Sequence, residues 1–122
     1  MQQTAIRVTE IAFTCYPVKD MARARQFYEE VLGLTLNYTG MNGSFAEYTV
    51  GDAAFCLWQT DELNPSPSGA NIAFEVEDFD GTLAALKAYG LNYVINPVET
   101  PVCHMAVVKD SEGNAINIHQ RK

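Results

Sequence analysis

The chain has 122 residues, of which 48% are hydrophobic, and a formal net charge of −7. These values are typical of one compact globular domain. Only eight Lys and Arg residues are present, so a phosphate-binding surface for nucleic acid is not expected. No apolar run reaches the ~18–20 residues that span a bilayer, and the N-terminus has no signal-peptide core. We therefore expect a cytoplasmic protein with no membrane partner.

The first half of the chain predicts four strands and one helix in the order βαβββ. Residues 6–16 are rich in β-branched and aromatic types and form a strand stopped by Pro17. Asp20 is a good N-cap for a helix that ends at Gly33. Residues 34–38, 45–50 and 53–58 then predict three short strands, joined by glycine-containing turns at 40–43 and 51–52.

The second half repeats this order after a linker over residues 60–69. Residues 71–77 predict a strand, and Asp78 caps a helix that ends at Gly90. Residues 91–95, 102–108 and 115–120 predict three strands, with a tight turn over 110–114 in which Gly113 takes a positive φ. Asp20 and Asp78 lie 58 residues apart, which indicates two copies of one supersecondary unit.

The predicted fold class is therefore α+β, with two tandem βαβββ modules over residues 6–60 and 70–120. Each module is a curved four-stranded mixed sheet with one helix, and together the two sheets form a cleft. The three cysteines (Cys15, Cys56 and Cys103) are odd in number and widely spaced. We expect them to be reduced thiols, and neither a disulfide framework nor a zinc knuckle.

Two motifs carry a resemblance to a known family. The pattern Val18-x-Asp20-Met21-(x)5-Phe27-Tyr28-(x)3-Leu32-Gly33-Leu34 is followed by Asp110-x-Glu112-Gly113-Asn114-x-Ile116. In this order they resemble the vicinal oxygen chelate superfamily, which includes glyoxalase I, the extradiol dioxygenases and the bleomycin-resistance proteins. The resemblance covers residues 8–120 and implies the fold described above, although fold alone does not give function.

The resemblance also implies where a divalent metal would be bound, on the first and last strands of each module. In this sequence those positions are Phe13, Cys56, Asn71 and Asn117. Phenylalanine donates nothing and a neutral amide is a weak ligand, whereas catalytic metals need about three carboxylate or imidazole donors. We therefore expect no metal and no other cofactor at this site, and no activity of the glyoxalase I type.

Strand alternation indicates which other side chains share the face of those positions. Phe13 would be joined by Cys15, Cys56 by Trp58, Asn71 by Ala73, and Asn117 by His119. An aromatic surface with amides, a thiol and an imidazole suits a small organic ligand. The alternative is that these side chains fill a closed core. Glu47 and Glu75 also lie on predicted strands and could reach the cleft or an edge, and exposed positions are commoner for glutamate.

His104 and His119 allow two interpretations, depending on the register of the last hairpin. If Lys109 pairs with Asn114, the two imidazoles lie directly opposite each other, and they could bind a metal or act as a base and its orienting partner. A shift by one residue would instead place Met105 opposite His119 and turn His104 to the other face. The sequence does not choose between these registers.

Three functions remain open at this level. The favoured one is a metal-free protein that binds a small organic ligand through Phe13, Cys15, Cys56, Trp58, Asn71, Asn117, His119 and His104. The second is a metal-dependent lyase, isomerase or dioxygenase with a non-standard site around the two histidines. The third is an interaction module with a closed interior. We also expect a homodimer, with the modules paired within or between chains.

Overall fold

The computed structural model describes residue 7 and residues 9–122, and its elements follow the predicted order. In the first module these are β1 (Thr14–Val18), α1 (Met21–Gln26) continuing into a π-helical turn (Phe27–Val31), β2 (Thr35–Gly40), a 3-10 turn (Met41–Gly43), β3 (Phe45–Val50) and β4 (Ala53–Gln59). In the second they are β5 (Ile72–Glu75), α2 (Phe79–Lys87), β6 (Tyr93–Glu99), β7 (Cys103–Lys109) and β8 (Ala115–Arg121). Neither helix of the described part is long and apolar enough to cross a membrane.

The strands form two four-stranded mixed sheets with the same topology. Their orders are β1-β4-β3-β2 (sheet A) and β5-β8-β7-β6 (sheet B). The β1–β4 and β5–β8 pairs are parallel, and the other neighbours are antiparallel. A parallel neighbour requires a crossover connection, which α1 and α2 provide as part of each module. The predicted tandem βαβββ modules are confirmed.

The two helices begin in the same way, which shows the repeat at the level of single hydrogen bonds. Asp20 accepts a hydrogen bond from the Arg23 N–H (3.1 Å), and Asp78 accepts one from the Gly81 N–H (3.0 Å). A glutamine at the end of the parallel strand satisfies a further N–H of each helix. Gln59 accepts from the Met21 N–H and Gln120 from the Phe79 N–H. These bonds satisfy donors that a helix leaves unpaired at its N-terminus.

The predicted limits of β1 and β6 are wrong, and proline explains where both strands end. Among the described residues the first strand begins at Thr14, and it continues through Pro17 to Val18; residues 6 and 8 lie outside the described part of the chain. The sixth strand extends through Pro97 to Glu99. Because β1 and β6 are both edge strands, a proline there removes no hydrogen bond from an interior ladder.

One hydrophobic core joins the two modules. It contains residues from the helix-bearing face of each sheet, among them Tyr48 and Phe55 from sheet A and Phe74 and Ile118 from sheet B. The Phe55 and Phe74 rings meet edge to face, with centroids 5.5 Å apart. The outer faces of the sheets, meaning the faces away from this core and from the helices, carry the residues of the candidate site.

Candidate functional site

The outer face of sheet A carries an aromatic patch beside a row of smaller side chains. Phe45 is the register partner of Trp58, and the Phe13 ring meets the Phe45 ring edge to face at 6.4 Å. Phe13 is 49% exposed, and Trp58 is half-buried. A planar ligand could stack on such rings, so this patch is the apolar part of the candidate site.

The two thiols of this face lie side by side. Cys15 pairs with Cys56 across β1 and β4, and Cys56 pairs with Glu47 across β4 and β3. Burial, followed by the neighbouring Cys15 and Glu47, raises the pKa of the Cys56 thiol to about 11. Burial also raises the pKa of Cys15. Both groups are therefore neutral thiols near pH 7, which makes them poor nucleophiles and poor metal ligands.

The outer face of sheet B carries the polar part of the candidate site. Glu75, His119 and Met105 form one row across β5, β8 and β7. His119 Nδ1 and Glu75 Oε1 are 2.6 Å apart, and Glu75 Oε2 accepts a hydrogen bond from the Arg121 backbone N–H, also at 2.6 Å. These two bonds, with the backbone one as the larger cause, lower the pKa of Glu75. The carboxylate is thus ionised and held in one orientation.

Asn117 lies next to this row on the same face. It pairs with Ala73 on one side and Val107 on the other. Its side-chain oxygen Oδ1 is buried and has no hydrogen-bond partner among the described residues. Buried polar atoms without a partner are rare in folded proteins and indicate a missing donor. Asn71, by contrast, precedes β5 and is exposed.

The structure separates His104 from His119. Lys109 pairs with Ala115, so Met105 faces His119 and His104 faces Gln120. Of the two registers that the sequence allowed, this is the second. His104 lies on the helix-bearing face, where its ring packs on Phe79 with centroids 5.6 Å apart. The hypothesis of a metal or catalytic site shared by the two imidazoles is therefore wrong, since they lie on opposite faces of β7 and β8.

A cavity lies on the other side of the molecule, between the two helices. It has a volume of about 390 Å³ and is lined by side chains that include Arg23, Phe27, Tyr89 and Lys109. None of the predicted ligand-binding residues lines it. This cavity was not predicted, because its walls come from helix residues and a turn that look like ordinary solvated or core positions in the sequence.

The side chains at the implied metal positions can be compared with the ligands that a divalent metal needs. Within residues 9–122 and residue 7, no group of three or more His, Cys, Asp or Glu side chains is arranged to hold a metal ion. At the four positions implied by the resemblance, the side chains are a phenyl ring, a buried neutral thiol and two amides. This donor set does not fit a catalytic divalent metal.

Glu75 is a site residue to which the sequence analysis assigned no role. It lies four positions after Asn71 and is therefore on the same face of the strand. Because side chains alternate along a strand, Glu75 shares a face with Asn71, and His119 shares a face with Asn117. Extending the face of the expected metal positions along both strands would have placed Glu75 opposite His119. Glu47 lies opposite Cys56, one of those positions, on the neighbouring strand.

Comparison with known proteins agrees with this fold. The model of the Glyoxalase/Bleomycin resistance protein/Dioxygenase superfamily matches residues 10–118, and the chain belongs to this superfamily. A protein named "Probable lactoylglutathione lyase" from Vibrio parahaemolyticus is 30% identical, over 92% of this chain and 91% of that protein.

Solved structures share the fold at lower identity. A glyoxalase/dioxygenase from Nostoc punctiforme superposes with a TM-score of 0.79 at 18% identity, covering 99% of each chain. An antibiotic-binding protein from a Streptomyces strain superposes with a TM-score of 0.71 at 23% identity, covering 96% of this chain and 99% of that one.

Proposed function

We propose that the protein binds a small, neutral, planar organic ligand on the outer faces of its sheets, without a resident divalent metal. The observation that carries this proposal is the replacement of good donors at every position where the superfamily resemblance implies a metal ligand. Phe13, Cys56, Asn71 and Asn117 offer apolar contact and hydrogen bonds instead. The Streptomyces structure of the same fold is named as an antibiotic-binding protein, so the fold is compatible with this role.

The name of the Vibrio relative describes a lyase, but the donor set argues against that activity here. A carboxylate at the Asn117 position could accept a proton, whereas a neutral amide cannot. The aromatic patch of Phe13, Phe45 and Trp58 is instead suited to stacking. The net charge of −7 favours a neutral or cationic ligand over an anionic one.

The proposal includes a homodimer in which the cleft lies between chains. Within one chain, the helix-bearing faces of both sheets are used by the shared core. The outer faces carry exposed apolar side chains, as Phe13, Ile95 and Val98 show. A second copy would enclose them. We also propose a cytoplasmic location, since all three cysteines are free thiols and reduced thiols are usual in that compartment.

The first experiment measures metal content. Untagged, chelator-washed protein is analysed before and after incubation with Ni, Co, Mn, Fe(II) and Zn. We expect less than about a tenth of an equivalent in every case, because the site lacks the donors that these ions need. Near-stoichiometric binding that is lost in Asn117→Ala would contradict the metal-free proposal.

The second experiment screens neutral planar aromatic compounds by thermal shift, since a ligand that binds only the folded state raises the melting temperature. A true ligand of the outer face should lose its effect in Trp58→Leu and keep it in Tyr89→Leu. Tyr89 is the matched control, because it is an exposed aromatic residue that lines the cavity between the helices. The reverse result would place the ligand in that cavity and reject the proposed site.

A further inference from the structure

We propose that Glu75 and His119 form a base dyad, in which His119 Nε2 accepts an acidic hydrogen from a small ligand bound on the outer face of sheet B. This inference rests on the proposed function, because the ligand must occupy that face. The dyad would add a reactive group to a site that would otherwise only bind the ligand. Glu75 is a positioning residue in this dyad, and His119 is the residue that touches the ligand.

The hydrogen bonds of Glu75 determine which nitrogen of His119 is free. An ionised carboxylate can only accept hydrogen bonds, so the short 2.6 Å contact requires the hydrogen on Nδ1. The other oxygen, Oε2, is held by the Arg121 backbone N–H, which prevents the carboxylate from turning away. In the neutral imidazole, Nε2 then has a free lone pair. This is the arrangement of a general base with its orienting carboxylate.

The surroundings of Nε2 suit a ligand. His119 is partly open to solvent, with 26% of its side chain exposed, and Met105 provides an apolar neighbour in the same row. Asn117 lies two residues earlier on the same face, roughly 7 Å away along the strand. Its buried Oδ1 lacks a donor. The ligand class is therefore a neutral molecule with an N–H or O–H group for Asn117 and an acidic C–H or O–H group for His119.

The dyad can be tested without knowing the natural ligand. Nitrobenzisoxazole is a neutral planar probe whose ring C–H is acidic. When a base removes that proton, the C–H electrons form the third carbon–nitrogen bond and the ring N–O bond breaks, which releases a cyanonitrophenolate. The proton goes to His119 Nε2 and then to water, so no oxidant or other reactant is needed.

The first measurement is nitrogen NMR of the histidine side chains in the free protein. The chain has two histidines, so His104→Gln leaves the His119 signals alone for assignment. We expect a protonated Nδ1 and an unprotonated Nε2 in the wild type, and a change in this tautomer in Glu75→Ala. A His119 that carries its hydrogen on Nε2 in the wild type overturns the dyad.

The second measurement is the rate of probe cleavage. We expect His119→Gln to lower the rate about 10²-fold and Glu75→Gln to lower it about tenfold, since a positioned base contributes 10²–10⁴-fold in general. His104→Gln is the matched control and should keep the wild-type rate. A rate in the wild type no higher than in His119→Gln overturns the role as base.

The two proposals can fail separately. If the NMR tautomer is as expected and His119→Gln lowers the rate of probe cleavage, but no compound binds in a Trp58-dependent way, binding through the aromatic patch fails and the base on sheet B stands. If compounds bind through Trp58 but Nε2 carries the hydrogen, the dyad fails and ligand binding stands.

Discussion

Cys56 shows how the surroundings of one residue limit its chemistry. Its side chain is buried, and Cys15 and Glu47 are its partners on the adjacent strands. A thiolate there would be desolvated and would face a carboxylate, and both effects favour the neutral thiol. The position would hold a metal ligand in the superfamily's metal-using members, according to the resemblance. In this chain it behaves as a small apolar residue with a sulfur atom.

This environment predicts slow alkylation of Cys56. With a pKa of about 11, the thiolate fraction at neutral pH is roughly 10²-fold below that of an ordinary cysteine. Iodoacetamide labelling followed by mass spectrometry should show Cys56 reacting far more slowly in folded than in urea-unfolded protein. Glu47→Gln should speed the reaction in the folded state, because it removes a nearby negative charge. Equal rates in folded and unfolded protein would contradict the buried neutral thiol.

The position of single side chains was the hardest part to predict from the sequence. The outer-face placement of Cys15, Cys56 and Trp58 followed from alternation and is found in the structure. The facing of His104 did not follow, because a shift by one residue in a hairpin turns every side chain over. Here the Asp110 N–H bonds to the Asn114 carbonyl, which closes a loop that makes Lys109 pair with Ala115.

The turn over Asp110–Asn114 connects the two modules as well as two strands. The Tyr28 hydroxyl donates to Asp110 Oδ2 at 2.5 Å, and the Asn114 side chain donates to the Pro17 carbonyl at 2.9 Å. Glu112 accepts hydrogen bonds from the backbone N–H groups of Lys19 and Asp20 at the start of α1. The polar residues of the second sequence motif therefore have a structural role. They form hydrogen bonds with residues in or directly before the first motif and so hold the two modules together.

Glu112 allows a test of this connection. Its side chain is fully buried and pairs with Arg23 at 2.6 Å. Burial opposes ionisation, but the bonds from Arg23, Asp20 and Lys19 outweigh it and lower the pKa of Glu112. Glu112→Gln should reduce the free energy of unfolding at pH 7 by about 1–3 kcal/mol, because it removes the ion pair with Arg23 and weakens the charge-assisted hydrogen bonds from the Lys19 and Asp20 N–H groups. Urea unfolding of the variant measures this loss.

The pH dependence follows from the same pKa. A carboxyl whose pKa is lower in the folded state stabilises the protein above its unfolded pKa of about 4.3, and that contribution is lost as the pH falls through the folded pKa. Glu112→Gln should therefore differ most from wild type above about pH 5 and least at low pH. Glu62→Gln, in the exposed linker, is the control and should follow the wild type. A difference that stays constant down to about pH 2 would contradict an ionised Glu112.

The elements themselves were predictable, because each one has a local signal. Asp20 and Asp78 mark the helix starts, and Gly33 and Gly90 take the positive φ that ends them. The C-terminal ends of β1 and β6 were not predictable, because a proline stops an interior strand but not an edge strand. Which strands lie at an edge depends on the topology of the whole sheet, and no single stretch of sequence contains it.

At the scale of the molecule, exposed apolar side chains lie on the outer faces of both sheets. Phe13 beside sheet A is 49% exposed, and Ile95 and Val98 on sheet B are 46% and 42% exposed. The helix-bearing faces are already used by the core within one chain. A second copy over the outer faces would bury these side chains, and a stable interface buries about 800 Å² or more of each partner.

The dimer can be tested at the edge strand of sheet B. Ile95 and Val98 are 46% and 42% exposed and pair with Val107 and Met105, which places them on the outer face. Light scattering of the wild type should give twice the 13.5 kDa chain mass. The double variant Ile95→Glu/Val98→Glu should give a single chain mass, because charges buried in an interface without a partner are costly to desolvate.

Leu63→Glu is the control for this experiment, since Leu63 is equally exposed but lies in the linker. It should remain a dimer, and both variants should keep the wild-type circular dichroism spectrum. If the cleft lies between chains, the double variant should also lose the Trp58-dependent ligand effect, because one chain alone leaves the ligand open to water. A monomeric wild type that still binds ligand through Trp58 would show that one chain is sufficient for the site, and that the open faces of the two sheets serve it without a partner.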